Sequence, residues 1–384
     1  MANRYFSKAG RRVFSIGLIV LSVWVVFVNW PKAPVQYSLV ANQSIEVRTD
    51  PATSEDVTAV PEVTKTALPF QVSLIYSPSY LIDVGGLERM HPFDIKKYQK
   101  IQDALIADGL CQNEQFLSPR PLSDEDLLLT HTPAYLESLG SRTKVAGYLE
   151  APILMLAPVS LNTAILQPFR HASGGTLLAA RTALNSGIGI NLGGGYHHAK
   201  PNQGEGFCLF ADVPIAIRRL QQEELIQRAV VIDVDVHQGN GTIVCLPDDD
   251  TTFTFSMHQA GIYPMPKERG DLDVELHSGM NDQQYLEVLE KHLPGVFDKA
   301  NADICFVVGG CDTLLGDPLA SLRMTHEGIV RRDQTIIDAC IERKIPVVFT
   351  LSGGYSKDAW KAQYKSIKNL IERQGIAAPD APAE

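Results

Sequence analysis

"AVVIDVDVHQGNGT", residues 229–242, joins an apolar run to a dense polar ending. The apolar half predicts a strand buried on both faces, because such strands carry apolar residues at nearly every position. Similar runs predict strands at 72–77, 187–192, 229–236, 252–257, 304–310 and 346–352. Amphipathic stretches predict helices at 123–139, with Ser123 as the cap, and at 211–228, 281–297 and 325–344. This alternation predicts an α/β fold, a mostly parallel sheet with helices on both faces.

Four of the predicted strands end in polar clusters. These are GGGYHHA (193–199), DVDVHQGNGT (233–242), GGCDTLLGDP (309–318) and SGGY (352–355). In open α/β sheets, ligands bind at the carboxyl ends of the strands. The sequence therefore predicts that the four clusters converge on one site.

The cluster at 233–242 predicts a metal site. Asp233, Asp235 and His237 occupy positions i, i+2 and i+4, which on an extended chain places them on one face. Buried carboxylates need a partner, and a metal cation provides one. With Asp312 from the neighbouring strand end, Asp235 and His237 would leave an open position for water, as in catalytic sites. A structural ion-pair site is the alternative for this segment alone, and the joint occurrence of four clusters favours the metal.

The adjacent histidines gain a role beside this predicted metal. A neutral imidazole of His197 or His198 can accept a proton from water and return it to a leaving amine. The glycines at 193–195 allow the backbone to approach closely. Tyr355 is placed to donate to a developing oxyanion, and Asp233 to orient one histidine.

Composition excludes several classes of protein. With 384 residues, of which 45% are hydrophobic, the chain is long enough for a large core and is not disordered. A net charge of −10 argues against a general nucleic-acid-binding protein, which needs clustered Lys and Arg. The six cysteines include no C-x-x-C pair, so they indicate neither a thiolate zinc site nor a disulfide scaffold.

The amino-terminal segment predicts a membrane anchor. A basic flank at 1–12 precedes the uncharged apolar run 13–30, whose helical length of ~27 Å nearly matches a bilayer core. No A-x-A-like site follows, so we favour an uncleaved anchor over a removed signal peptide. The positive-inside rule then places the remainder outside the cytoplasm. We assign 31–69 to a flexible tether, 70–376 to a catalytic domain and 377–384 to a carboxyl-terminal tail.

Several motifs together resemble a known family. The segments GGGYHHA, GFCLFADVPIAI (206–217), VIDVDVHQGNGT, GGCDTLLGDPL and LSGGY resemble the zinc-dependent histone deacetylase superfamily, which has an arginase-like α/β fold. GLERMHPFDIKKY (86–98), DEDLLLTHTPAYLESL (124–139) and the form HQGNG resemble its class IV branch. The resemblance covers roughly residues 72–372.

This resemblance implies roles for the clustered residues. It implies Zn²⁺ on Asp235, His237 and Asp312, although Fe²⁺ also suits so hard a ligand set. His198 would be the general base and acid, with His197 as its electrostatic partner. Tyr355 would polarise the carbonyl of the substrate.

The resemblance also implies substrate and supporting residues. The carbonyl of Gly206 would contact the amide of the substrate lysine. Phe207 and Tyr263 would form the walls of the acyl-lysine tunnel, and Leu319 would also line it. Asp233 would orient His197 and help Ser256 bind K⁺. Asn240 stands where many relatives have an Asp beside the second histidine. This exchange removes a charge, so we expect a lower proton affinity for His198.

The sequence thus predicts a membrane-anchored, metal-dependent amidohydrolase that removes acyl groups from the ε-amine of lysine. Acetylated polyamines or other small acyl-amides remain open as substrates. The class IV resemblance also implies long-chain acyl-lysine as an alternative substrate, which a membrane anchor would fit. A non-catalytic acyl-lysine-binding protein is a third hypothesis. The complete set of metal ligands, histidines and tyrosine argues against it.

Overall fold

Eight parallel strands form the central sheet in the computed structural model, which describes residues 68–247 and 250–378. The strands are β1 (Gln71–Ile75), β2 (Phe116–Leu117), β3 (Gly187–Asn191), β4 (Ala229–Asp233), β5 (Thr252–Gln259), β6 (Leu272–Leu276), β7 (Ile304–Val308) and β8 (Val347–Thr350). Their order is β2-β1-β3-β8-β7-β4-β5-β6, and every pairing is parallel. The predicted α/β class with a parallel sheet is therefore confirmed.

Helices cover both faces of the sheet, as predicted. They are α1 (Lys97–Ala107), α2 (Asp124–Leu128), α3 (Pro133–Ser138), α4 (Arg142–Tyr148), α5 (Gln167–Ser186), α6 (Asp212–Gln222), α7 (Asn240–Cys245), α8 (Asp282–Ala300), α9 (His326–Glu342) and α10 (Ala359–Gln374). Val230 and Ile232 pack in one core cluster with residues of α1, α8, α9 and α10. Val231 packs in a second cluster with α5 and α6. Alternate strand residues thus point to opposite helical layers.

Strand order brings the four polar clusters together. The clusters follow β3, β8, β7 and β4, and these four strands are consecutive neighbours in the sheet. Because all strands run in the same direction, their carboxyl ends share one edge. The predicted convergence of the clusters at one site is confirmed.

Several predicted elements have different bounds in the structure, and for two of them the hydrogen bonds show the cause. The segment 123–139 forms two helices, α2 and α3, because Thr132 caps a second helix whose first residue is Pro133. The predicted cap of the first, Ser123, accepts from the N–H of Asp126. The strand predicted at 229–236 ends at Asp233. Beyond it, Asp233 and Asp235 each accept the N–H two residues ahead and turn the chain, so the expected extended face of residues 233–237 was wrong.

Other elements lack a clear sequence signal. The longest helix, α5, contains the pair Gly174 and Gly175, which lowers its helical propensity. A Cβ at Gly174 would lie 1.9 Å from the carbonyl oxygen of Arg120, so close packing explains its presence. The edge strand β6, Leu272–Leu276, is largely half-buried and carries two charged residues, Asp273 and Glu275, instead of an apolar run.

The predicted basic flank and membrane anchor lie outside the described residues, as does nearly all of the tether at 31–69. Within residues 68–247 and 250–378, none of the helices combines the length and apolar character that a membrane span requires. The anchor therefore stays a prediction.

Candidate active site

Three buried side chains meet beyond the ends of β4 and β7. The Nδ1 atom of His237 lies 3.2 Å from Asp235 Oδ1 and 3.1 Å from Asp312 Oδ2. Ligand atoms of the three residues all lie within 4.8 Å of one another. The three side chains are almost inaccessible to solvent. The structure thus groups the residues that were predicted to bind the metal.

Electrostatics make this group receptive to a cation. Burial, followed by the neighbouring Asp235 carboxylate, raises the pKa of Asp312 to about 7. Burial opposes protonation of His237, but hydrogen bonds to Asp235 and Asp312 outweigh it and raise its pKa to about 10. A divalent ion would displace protons from such a group. Two carboxylates and one imidazole suit zinc or ferrous iron, so these residues fit the predicted ion.

The loop after β8 supports the predicted metal ligands. Ser352 Oγ and the N–H of Gly353 donate to Asp235 Oδ2 at 3.0 and 2.9 Å. A Cβ at Gly353 would lie 2.4 Å from Asp312 Oδ2, so only glycine lets the loop approach this closely. The N–H of Val236 donates to Asp312 Oδ1 at 2.9 Å. Both carboxylates are therefore oriented before any ion binds.

A buried aspartate holds the histidine loop in place. The N–H groups of Gly195 and Tyr196 donate to the two carboxylate oxygens of Asp212, each at 2.8 Å. Thr176 Oγ1 also donates to Asp212, at 2.6 Å. Gly195 has a φ of 75°, which L side chains rarely adopt, and this turn carries the following histidines to the site.

His197 has a charged partner. Its Nδ1 donates to Asp233 Oδ2 at 2.7 Å, and its Nε2 lies 3.8 Å from Asp235 Oδ1. Burial opposes protonation, but the charges of Asp233 and Asp235 outweigh it and raise the pKa of His197 to about 9. Asp233, predicted to orient a histidine, thus contacts His197.

His198 has a neutral partner. Its Nδ1 lies 2.7 Å from Asn240 Oδ1. Burial, followed by the positive charges of His197 and His237, lowers the pKa of His198 well below its ordinary value. The imidazole is therefore neutral near pH 7.

Tyr355 lines the same cavity as the two histidines. Its ring centroid lies 6.3 Å from that of His237. Asp317 accepts its backbone N–H at 2.7 Å, which fixes the turn after β8. Burial, with the charges of Asp235 and Asp312, raises the pKa of Tyr355 well above its ordinary value. The phenol therefore keeps its proton and is able to donate it in a hydrogen bond.

The predicted tunnel walls lie next to His198. The ring of Tyr263 packs 4.9 Å from that of His198, and the ring of Phe207 packs 5.9 Å from that of Tyr355. A Cβ at Gly206 would lie 2.5 Å from His198 Cδ2, so a side chain there would displace the histidine. Phe207 has a φ of 68°, an unfavourable conformation for a residue with a side chain, of the kind found at functional sites.

An apolar cavity extends from these residues into the domain. It encloses about 880 Å³, including the part open to solvent. His197, His198, Phe207 and Tyr355 line its polar end. Apolar side chains line the remainder, among them Ile82, Val84, Leu149, Ile153, Leu154 and Ile165. Leu319, predicted to line the tunnel, is not among the residues that line this cavity, and its N–H donates to Asp317 at 3.0 Å.

Ser256 was predicted to bind K⁺ together with Asp233. The two residues are paired in the sheet, Asp233 in β4 and Ser256 in β5. The hydroxyl of Ser256 lies 2.9 Å from His258 Nδ1. His258 Nε2 is buried and has no hydrogen-bond partner within the described residues. The potassium site stays a prediction, although the two residues are adjacent.

Sequence reasoning missed two buried cations that hold the site together. Lys97 Nζ donates to the carbonyls of Ser352 and Gly353 at 2.6 and 3.2 Å. Arg332 donates to the carbonyls of Val234 and Gly310, at 3.1 and 2.7 Å, where β4 and β7 give way to the ligand-bearing loops. Both side chains reach the site through backbone carbonyls, which no sequence motif reveals, and Arg332 also pairs with the neighbouring Asp333. The sequence offered only one signal for these contacts, namely a charged residue, Lys97 or Arg332, within an amphipathic helix.

Comparison with known proteins identifies the family. The histone deacetylase domain family matches residues 91–371, well over half of the chain. Histone deacetylase 2 of Arabidopsis thaliana is 37% identical over 310 residues, which cover 80% of this chain and 80% of that protein. The chain belongs to the histone deacetylase family. This membership confirms the predicted superfamily and supports deacetylase-type hydrolysis.

Other members of the histone deacetylase family are also similar. Acetoin utilization protein AcuC of Staphylococcus aureus strain MSSA476 is 30% identical over 253 residues, which cover 61% of this chain and 64% of that protein. The crystal structure of a histone deacetylase homologue from Aquifex aeolicus is 23% identical, with a TM-score of 0.63 over 82% of this chain and 86% of that chain. This structural likeness concerns the fold alone.

Proposed function

We propose that this protein is a metal-dependent amidohydrolase that removes acyl groups from the ε-amine of lysine. The observation that supports the proposal is the position of Asp235, His237 and Asp312 beside His198 and Tyr355, at the polar end of an apolar cavity. A bound zinc or ferrous ion would supply a Lewis acid that makes a water molecule nucleophilic. The residues around it would supply the remaining chemistry.

His198 is the proposed general base and acid. It is neutral near pH 7, because burial and neighbouring cations lower its pKa, so it can accept a proton from the attacking water. The same nitrogen then returns the proton to the departing lysine amine. His197, positively charged beside Asp233, stabilises negative charge that develops next to it.

Tyr355 is the proposed donor to the carbonyl oxygen of the substrate. Its phenol is protonated, and its ring lies 6.3 Å from that of the predicted metal ligand His237. A fixed donor of this kind stabilises the charge that develops in the transition state more than the charge of the ground state. Phe207 and Tyr263 would hold the aliphatic stem of the lysine side chain.

A specific observation favours a long acyl chain over acetyl. The cavity beside His198 is lined mainly by apolar side chains, among them Ile82, Val84 and Leu154, as is usual for pockets that bind apolar ligands. A hydrocarbon chain would bury more of this apolar lining than an acetyl group, at about 25 cal/mol for each Å² removed from water. We therefore propose long-chain acyl-lysine as the preferred substrate.

The test of this proposal is a competition assay with three substrates: an acetyl-lysine peptide, a myristoyl-lysine peptide and acetylspermidine. The metal content of each protein sample is measured as well. We expect the acyl-lysine peptides to be hydrolysed, with a higher kcat/KM for the myristoyl peptide. Asp312→Ala should lose both the metal and turnover, whereas Asp298→Ala, on an exposed position of α8, should retain both. Preference for acetylspermidine would favour the small acyl-amide alternative, and binding without turnover would favour the non-catalytic one.

The acyl preference has its own variant. Ala151 lines the cavity, so Ala151→Phe should fill it. We expect turnover of the myristoyl peptide to fall, with turnover of the acetyl peptide largely unchanged. Equal losses on both peptides would show that the cavity does not hold the acyl chain.

We also propose that residues 13–30 anchor the protein in a membrane, with the catalytic domain outside the cytoplasm. The support is the uncharged apolar run and the basic flank before it. Protease added to intact cells should then digest the catalytic domain. Protection of the domain in intact cells, with digestion after lysis, would place it in the cytoplasm and would bring cytoplasmic proteins within its reach.

A further inference from the structure

We propose that Glu205 determines which nitrogen of the His198 ring carries the proton, by fixing the orientation of the Asn240 side chain. Asn240 is the neutral partner of His198, at 2.7 Å from Nδ1. The inference rests on the proposed function only because His198 is the proposed base. The arrangement of Glu205, Asn240 and His198 stands independently of any substrate.

Glu205 collects hydrogen-bond donors on both carboxylate oxygens. Oε1 accepts from Asn240 Nδ2 at 2.7 Å and from the hydroxyl of Tyr263 at 2.9 Å. Oε2 accepts from Gln203 Nε2 at 2.8 Å, and Lys200 Nζ lies 3.6 Å from it. The side chain is only 11% exposed. These donors hold the carboxylate in one place beside Asn240.

An asparagine beside a histidine is ambiguous, since its amide can present either oxygen or nitrogen. A carboxylate removes the ambiguity, because it has no hydrogen to donate. Turning the Asn240 amide over would place its oxygen against Glu205 Oε1, two acceptors at 2.7 Å. Asn240 therefore presents its NH₂ group to Glu205 and its oxygen to His198.

This orientation decides the protonation of the histidine. Because Asn240 Oδ1 is an acceptor, Nδ1 of His198 must carry the hydrogen between them. In a neutral imidazole, the other nitrogen, Nε2, then keeps its lone pair. A general base needs that lone pair, so Glu205 is a positioning residue that acts through Asn240.

The isosteric variant Glu205→Gln tests this role. A glutamine amide can donate to Asn240 Oδ1, which allows the Asn240 amide to turn and present NH₂ to His198. The hydrogen of His198 would then move to Nε2. We expect kcat to fall about 10- to 100-fold, the usual range for a residue that orients a functional side chain, with KM little changed.

The direct measurement is the tautomer of His198 in zinc-loaded protein. Long-range ¹H–¹⁵N correlation spectra of histidine-labelled protein distinguish the two tautomers, and the His198→Gln spectrum assigns the signals. We expect the Nδ1–H form in the unsubstituted protein and a shift toward the Nε2–H form in Glu205→Gln. Gln203→Ala is the matched control, because Gln203 contacts the other carboxylate oxygen, and it should keep the Nδ1–H form.

A second substitution should restore the tautomer. Asn240→Asp in the Glu205→Gln background puts an acceptor-only group against His198, so the Nδ1–H form should return. An unchanged Nδ1–H tautomer in Glu205→Gln, or an Nε2–H tautomer in the unsubstituted protein, would overturn the proposal. Absence of activity on every amide, with the expected spectra, would instead contradict the proposed function alone.

Discussion

His197 and His198 are adjacent in the chain, with ring centroids 4.0 Å apart, yet their surroundings are opposite. His197 donates to the carboxylate of Asp233, and its pKa is raised to about 9. His198 contacts the amide of Asn240, and burial lowers its pKa well below the ordinary value. At pH 7 the first imidazole is charged and the second is neutral. Two identical side chains therefore serve as a fixed charge and a proton acceptor.

The difference originates in the fold. Asp233 is the last residue of β4, whereas Asn240 is the first residue of α7, at the far end of the loop that follows β4. The loop between them carries two predicted metal ligands, Asp235 and His237. The same short segment thus supplies both histidine partners and most of the metal site, which couples the three parts geometrically.

Replacing each histidine in turn should show the difference between their roles most clearly. His198→Ala should lower kcat on the order of 10⁴-fold, the upper end of what general acid–base catalysis contributes, while metal stays bound. His197→Ala should cost less, because it removes a charge and leaves the proton acceptor. Steady-state kinetics and metal analysis of both variants test this. Equal losses, or retained activity in His198→Ala, would mean that the roles are wrongly assigned.

Tyr355→Phe tests whether the charge stabilisation lies opposite the histidines. The variant keeps the ring that packs against Phe207 and loses only the hydroxyl. We expect kcat to fall about 10²-fold, as when one donor to an oxyanion is removed. Phe93→Leu changes another ring that packs on Tyr355 and serves as the control, with a smaller loss expected. An unchanged rate in Tyr355→Phe would remove the hydroxyl from the mechanism.

Sequence patterns predicted the parts of the site that are both local and chemically unusual. Asp235, His237 and Asp312 each follow a strongly apolar strand, where carboxylates and imidazoles have few explanations besides a metal. The parallel sheet then placed them at one edge. Asp233 was left over from this ligand set and was predicted to orient one of the histidines, and the family resemblance implied that this histidine is His197.

Other parts depended on contacts that no pattern encodes. Lys97 binds the carbonyl of a residue 255 positions away, and Glu205 stands in a loop whose composition is ordinary. Val234 and Val236 continue the apolar alternation of β4, so the strand was predicted to be too long. The backbone turns there because aspartate side chains accept its N–H groups. Local hydrogen bonds overrode the strand propensity of the valines.

Asp233→Asn sharpens the comparison by making the partner of His197 neutral as well. Without the carboxylate, burial is no longer outweighed, so the pKa of His197 should fall. We expect turnover to drop about 10- to 100-fold, as is usual when the partner of a functional side chain is changed. Titration of the histidine signals by NMR checks the pKa directly. A pKa of His197 that stays near 9 would show that Asp235 alone maintains the charge.

Asn240→Asp combined with Glu205→Gln makes the partner of His198 charged instead of neutral. Of these variants, it should have the smallest effect on turnover. The pair keeps a single carboxylate, which now contacts His198. An anion at that position favours the protonated imidazole and therefore raises the pKa of His198. A base must be unprotonated, so the acid limb of kcat/KM should move to higher pH, with activity lost at low pH and retained at high pH. If the limb stays where it is in the unsubstituted protein, the neutrality of Asn240 does not set the working range of His198, and the contrast between the two histidines has a different cause.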